Sequence, residues 1–426
     1  VDKTVSQSLC WRYLCWNFRM VSLIGIASCI LVAFLVSTNR KAINLRTVGF
    51  AFILQAGIGA FVFYFPWGKL VLTNLAELVS SVLGYSQAGI GFLFGNLADQ
   101  SWNSIGFVLA INVLPVIVFF AALIAILYHI RVMEVVIKII GGALQMALRC
   151  SRPESLSAAA NIFVGQTEAP LVVKPFIKQM TSSELFAVMV GGLASIAGSV
   201  MFGYAVMGID LGYLLAACFM AAPGALMMAK IIKPEVSSPI NHLSGLKEGD
   251  VKPYVNVFDA AASGALSGLQ LALNVGAMLV AFTALIALLN GLVSWIGGLF
   301  GLEALTIELI LGYLLQPVAW TLGIPWGEAK IAGSLIGQKL VFTEFLAYMN
   351  FTDVVSELSG HSQAVITIAL CGFANFASIA ILLGGIGTLA PNRRSEIAEL
   401  GLLALLAATL ANLMSAAIAG FFLSFS

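Results

Sequence analysis

Charge is what this sequence has least of. Lys and Arg number 21 and Asp and Glu 20 among 426 residues, 10% in all, and the formal net charge is +1. So few charges cannot solvate a water-soluble globule of this size, and so even a balance gives nucleic acid nothing to hold. Histidine is scarcer still, and His129, His242 and His361 are too scattered for a metal cluster. The six cysteines, Cys10, Cys15, Cys29, Cys150, Cys218 and Cys371, fall mostly in apolar stretches and form no C-x-x-C pair, so no disulfide framework is implied. No G-x-S-x-G occurs and no histidine lies in the middle of an apolar stretch, so a hydrolase would lack both nucleophile motif and base. The chain is not read as an enzyme.

What is there in abundance is apolar. The chain is 60% hydrophobic with a mean hydropathy of +1.00, the composition of an all-α polytopic membrane protein. Eight segments are long enough to cross a core of roughly 30 Å: 21–38, 48–65, 105–128, 184–207, 211–232, 270–293, 363–387 and 400–424. Basic residues cluster after the first (Arg40, Lys41, Arg46), third (Arg131, Lys138, Arg149, Arg152), fifth (Lys230, Lys233, Lys247, Lys252) and seventh (Arg393, Arg394). The positive-inside rule makes those connections cytoplasmic and puts both termini outside. Residues 1–19 disagree, carrying Lys3, Arg12 and Arg19 on the outer side. They read as a non-native or disordered N-terminal extension.

The stretch 161–170, N-I-F-V-G-Q-T-E-A-P, sets Asn, Gln, Thr and Glu beside a Gly and a Pro inside a long apolar region. An intramembrane carboxylate costs roughly 2.5–3.5 kcal/mol and is by default a functional candidate. Non-helical backbone at that depth survives only against protein or a wet cavity. Pro153 suits the first turn of a helix running to about Val164, and Pro170 the first turn of a second. Each half is long enough for about half a membrane. Residues 152–180 therefore read as a re-entrant hairpin, entering from the cytoplasmic side that Arg149, Arg152, Lys174 and Lys178 mark. A second interrupted stretch, 325–350, opens at Ile324-Pro325-Trp326 and holds Thr343-Glu344 between acidic flanks (Glu303, Glu308, Asp353, Glu357), so it enters from outside.

The other pieces fall into place around these. Residues 69–85, 134–150 and 303–322 read as amphipathic helices along the interface. Spans one and two, without intramembrane charge, read as scaffold, giving scaffold helices over 20–102. A first repeat covers 103–232, a solvated cytoplasmic loop 233–256, and a second repeat 257–426. Thr167-Glu168 matches Thr343-Glu344, and G-L-A-S-I-A (192–197) lies over G-F-A-N-F-A (372–377) at an offset of 180. The halves begin on opposite sides, so the repeat is inverted, the arrangement that lets one site face either side in turn. Gln166, Thr167 and Glu168, Glu344, and Ser195, Asn375 and Ser378 then converge at the midplane. Two carboxylates, two amides and three hydroxyls suit a neutral ligand rich in hydroxyls and ring N–H groups. Lys330 and Lys339 read as charges on the hairpin's flank. A passive channel is the rival reading, since broken helices also build filters, but hairpins from opposite faces occlude a path rather than line one.

On N-I-F-V-G-Q-T-E-A-P, G-G-L-A-S-I-A-G (191–198), N-V-F-D-A-A-A (256–262), L-A-L-N-V-G-A-M (271–278), T-E-F-L-A-Y (343–348) and C-G-F-A-N-F-A-S-I-A-I (371–381), the chain resembles the bacterial sodium-coupled concentrative nucleoside transporters from about Val21 to Ser426. The resemblance implies a homotrimer in the bacterial inner membrane, each protomer with scaffold and transport subdomains, importing nucleosides such as uridine by an elevator movement. It implies that Gln166, Thr167 and Glu168 meet the nucleobase and Glu344, Asn375 and Ser378 the ribose, with Val200, Leu271 and Phe373 lining the pocket. The coupling ion it implies is Na+, held by the side chains of Asn161 and Ser195 and the carbonyls of Val164 and Ile196, with no organic cofactor. Proton-coupled relatives depart from this set at the Asn, so Asn161 favours sodium.

Overall fold

The computed structural model describes residues 2–98, 107–239, 254–301 and 305–425, with side chains from residue 19 onward. Lys3, Arg12, Cys10, Cys15, His242, Lys247, Lys252 and Glu303 thus have side chains outside the described residues, as does most of the loop 233–256. Among the described residues all regular structure is helical.

α1 (Asp2–Leu35) runs without interruption through the boundary expected at residue 19, and the Arg19 guanidinium lies over the Phe425 ring, 3.7 Å from its centroid. α2 (Leu45–Phe63) starts at an Asn44 cap that accepts from the amides of Arg46 and Thr47. α3 (Pro66–Phe94) replaces the short interfacial helix expected at 69–85 with one long and apolar enough to cross a membrane. A single turn, α4 (Leu109–Asn112), leads into α5 (Leu114–His129). α6 (Val132–Leu148) buries Met133, Ile137, Gly141, Leu144 and Leu148, spaced three and four apart, as an amphipathic helix must. It is stopped at both ends by left-handed arginines, Arg131 and Arg149.

The first hairpin begins with α7 (Arg152–Ala160), opened by a Ser151–Glu154 capping box with Pro153 in its first turn. Its second limb differs from the single helix expected. It is two isolated turns, α8 (Ala169–Val172) and α9 (Lys174–Ile177), because Pro175 lacks the N–H that would bond back to Leu171 and join them. α10 (Ser182–Ala194), α11 (Gly198–Val206) and α12 (Leu211–Ile232) complete this half.

The second half opens with α13 (Val257–Leu299), 43 residues long. α14 (Ile307–Thr321) and α15 (Trp326–Val341) follow, bent 115° from one another, then α16 (Glu344–Val354), α17 (Gly360–Leu370), α18 (Phe376–Leu389) and α19 (Arg394–Leu423). Among the described residues, seven helical stretches pass for membrane spans by length and composition, or eight with the bent pair. The order of elements is that of an inverted repeat of helices with two re-entrant hairpins.

Packing separates two bodies. α5 and α13 run along one another with backbones in contact: a Cβ on Gly268 would stand 2.8 Å from the Cα of Val118. The most apolar stretch of α13 is only 11% buried, whereas that of α10–α11 is 100% and that of α12 94% buried. α10, α12, α17 and α19 form the centre of the larger body, which carries both hairpins. The first two spans, read from sequence as scaffold, pack against its central helices. α2 packs on α12 and buries Gln55, whose Nε2 donates to Ser415 Oγ of α19 at 2.9 Å. α1 packs on α19, with Ser22 Oγ donating to Leu322 O.

Candidate functional site

Two segments expected to be continuous spans are each interrupted at mid-length. α10 stops at Ala194 and the chain runs extended through Ser195 to Ala197 before α11 begins at Gly198. α17 stops at Leu370, and α18 starts only after Asn375, whose side chain caps it by accepting from Ser378 N at 2.9 Å. The breaks cross: Phe373 N donates to Ser195 O at 3.1 Å, and Gly198 N donates to Phe163 O at the first hairpin's tip at 3.0 Å. Gly372 sits at the crossing with φ 151°, against the Asn412 amide and Ala194 O, where no larger residue fits. The register of the repeat also changes. Leu370 follows Ala194 by 176 positions, as Thr343 follows Thr167, so Ser195 corresponds in place to Cys371 and not to Asn375. The second break is longer than the first, which is why the sequence match at 180 misleads.

One line of polar contacts joins the two halves. Glu344 opens α16, buried, beside the Thr343 cap. Its Oε2 accepts from Asn375 Nδ2 at 2.9 Å and its Oε1 from the Tyr204 hydroxyl at 3.0 Å. Beyond Asn375 lies Ser378, whose Oγ accepts from Gln166 Nε2 of the opposite hairpin at 3.3 Å. The side-chain oxygen of Gln166, Oε1, is buried without a protein partner. Such an atom costs about 1–3 kcal/mol if nothing reaches it, which marks it as an acceptor awaiting a donor. Val200 is buried nearby in sequence on α11, Phe373 is half-buried in the second break, and Leu271 is half-buried on α13, in the other body.

Thr167 and Glu168 stand outside that line. Both are exposed, with Thr167 resting its methyl near Gly385 of α18. Glu168 lies within electrostatic reach of Tyr254, ahead of α13. Partial burial and then this carboxylate push the Tyr254 phenol above its ordinary range. Gln166 thus belongs to this line, while Glu168 lies apart from it on the side of Tyr254.

The residues named for a cation gather at the first hairpin and the first break. Asn161 ends α7, donating from Nδ2 to Ser157 O at 3.0 Å, and its Oδ1 is buried and unpartnered. Ser195 ends α10 with its Oγ donating to Gly191 O at 3.0 Å, which leaves its lone pairs free. Val164 and Ile196 are buried in non-helical backbone on either side of the Gly198–Phe163 bond. Neutral amide, hydroxyl and carbonyl oxygens with one acceptor left orphaned suit a hard monovalent cation.

Three functional candidates escaped sequence reasoning. Tyr204 looked like an apolar-helix core residue, yet its hydroxyl fixes Glu344 and its ring packs 4.5 Å from that of Tyr348. Lys339, read as a flank charge, is buried with its Nζ donating to Ala369 O and to Asn412 Oδ1, each at 2.8 Å. Asn412 lies deep in α19 and donates onward to Ala194 O at 2.7 Å. A lone Asn in the middle of the last apolar run was the available signal.

Three family profiles match consecutive parts of the chain: "Na+ dependent nucleoside transporter N-terminus" over residues 24–97, "Nucleoside recognition" over 110–210 and "Na+ dependent nucleoside transporter C-terminus" over 213–420. An uncharacterized transporter of Haemophilus influenzae is 54% identical over 408 residues, spanning 94% of this chain and 97% of that protein. Nucleoside permease NupC of Helicobacter pylori is 49% identical over 412 residues, 95% of this chain and 98% of its own. Among solved structures, CNTnw in an inward-facing substrate-bound state superposes with a TM-score of 0.92 at 52% identity, over 96% of this chain and 99% of that one.

Proposed function

Because the chain belongs to the Na+-dependent, concentrative nucleoside transporter family, we propose that it imports nucleosides against their gradient by symport with Na+. The observation that carries this is the line from Gln166 through Ser378 and Asn375 to Glu344, which sets an orphaned amide oxygen at one end and a buried carboxylate at the other. Ribose hydroxyls are donors that a carboxylate accepts strongly, and a base edge offers N–H groups to an amide oxygen. Glu344, Asn375 and Ser378 hold the sugar. Gln166, Thr167 and Glu168 meet the base. Val200, Leu271 and Phe373 supply apolar walls.

Sodium binds between Asn161 Oδ1, Ser195 Oγ and the carbonyls of Val164 and Ile196. Its charge shields free carbonyls at the first break and so fixes the neighbouring tip that carries Gln166. Reciprocity then requires sodium and nucleoside to tighten each other's binding by the same factor. One Na+ falling through 100 mV releases about 2.3 kcal/mol and a tenfold gradient adds about 1.4. Together these support accumulation of roughly several hundredfold. The body that carries both hairpins travels as a unit past α5 and α13, in an elevator motion. α5 and α13 form the stationary part and the contact between protomers of a homotrimer in the inner membrane, with both termini outside.

The test is uridine uptake into vesicles of purified protein under an inward sodium gradient, an inward proton gradient, or choline. Accumulation that needs sodium and collapses with its gradient supports the reading. Equal accumulation in choline, or uptake driven by protons alone, refutes the coupling.

A further inference from the structure

Lys339 is a cation placed where the fold otherwise builds a site for one. It projects from the first limb of the second hairpin, 3% exposed, and neutral oxygens hold its ammonium: Ala369 O in the last turn of α17 and Asn412 Oδ1. Through Asn412 the same ammonium is linked to Ala194 O, the last carbonyl of α10. Ends of interrupted half-helices carry unpaired carbonyls and the negative pole of the helix dipole, and carriers built from such helices use them to coordinate cations.

The first hairpin makes the corresponding junction with the other break. Asn161 Nδ2 rests against Gly191 in the last turn of α10, and its Oδ1 is left buried without a partner. Each half of the repeat thus brings the first limb of its hairpin against the last turn of its interrupted span. One junction presents a spare amide oxygen and the other already contains a fixed positive charge.

We propose that Lys339 is a tethered cation, filling in the second hairpin the place that an exchangeable cation takes in the first. It thereby holds the chain to one exchangeable cation per cycle. The ammonium travels with the hairpin through every conformation, so the second break never needs an ion from solution. This rests on the sodium reading of Asn161 and goes beyond it in explaining why one half of the repeat would exchange its cation and the other would not.

The test counts ions without turnover, on purified full-length protein with saturating uridine. Radiolabelled sodium bound per chain is measured alongside the order of the sodium dependence of thermal stability. The wild type is expected to bind one sodium with first-order dependence. Lys339→Asn, which puts an amide where the ammonium was, is expected to bind two with second-order dependence. A folded Lys339→Asn that still binds one sodium overturns the proposal, as does a wild type that binds two. Where Lys339→Asn does not fold, Asn161→Leu with Lys339 intact decides: no bound sodium supports the proposal and a residual site overturns it. A wild type that binds no sodium at all instead brings down the sodium reading, and this inference with it.

Discussion

Replacing Glu344 by Gln keeps the shape of the side chain and removes its charge. In the structure Oε2 accepts from Asn375 Nδ2 and Oε1 from the Tyr204 hydroxyl. A Gln can turn its oxygen to Asn375 and its NH2 to Tyr204, whose hydroxyl rotates to accept, so both buried contacts survive. Folding should therefore be little changed. What is lost is the charge-assisted bond to a ribose hydroxyl, about 1.5–3 kcal/mol for each one made, or roughly 10- to 150-fold in affinity per hydroxyl. If both vicinal hydroxyls reach the carboxylate, the loss is the product of two such factors. Equilibrium binding of labelled uridine and its 2′- and 3′-deoxy analogues measures this directly, with the melting temperature as a control for folding. Glu344→Gln should bind uridine weakly and discriminate less against the deoxy analogues than the wild type does. Tight uridine binding with unchanged discrimination would refute the ribose assignment.

Tyr204→Phe leaves the Glu344 carboxylate one donor short and should cost about 1–3 kcal/mol, seen as a lower melting temperature with weaker uridine binding. Gly372→Ala forces a Cβ onto the Asn412 amide at a φ of 151°. It should cost about 1–3 kcal/mol and disturb the crossing of the breaks, read as loss of uptake at normal expression. Glu154→Gln takes from the buried Lys230 its nearer carboxylate and leaves it Ser183 and the half-buried Glu235, 3.6 Å away. About 1–3 kcal/mol should go, and Glu154→Gln with Lys230→Met should regain most of it in a melting series. Asn161→Leu should abolish the sodium-dependent rise in melting temperature while the choline value stays put.

Apolar run length was a good guide to where helices lie and a poor guide to whether they continue. Residues 211–232 were read to the residue because Asp210 caps one end and Lys233 follows the other. The interruptions at Ser195–Ala197 and after Leu370 were invisible because Ile196, Ala197, Phe373 and Ala374 are as hydrophobic as the helices around them. Backbone geometry there is set by partners distant in sequence, such as Phe373 N on Ser195 O. The two tips announced themselves through Gly165, Pro170 and paired Thr-Glu residues. Charge near a hairpin was misjudged for Lys339, since sequence shows that an ammonium is present but not which carbonyls surround it. The burial of Gln55 was likewise hidden, since a lone mid-span Gln does not show that it faces Gly224, which leaves room for it, or donates to Ser415.

The length of α13 has a consequence of its own. At 1.5 Å per residue its 43 residues extend about 65 Å, roughly twice the thickness of a hydrocarbon slab. Large apolar side chains stay uncovered from one end to the other, with Phe258 at 86%, Val280 at 75% and Leu299 at 68% exposure. The first turns also carry Asp259, Ser263, Ser267 and Gln270, so that end tolerates water. To keep all of it dry a straight rod would have to recline about 60° from upright, beyond the usual 0–40° lean of such helices. The surplus length instead stands clear of the hydrocarbon at those polar first turns, and neighbouring copies can shelter the apolar side chains among them.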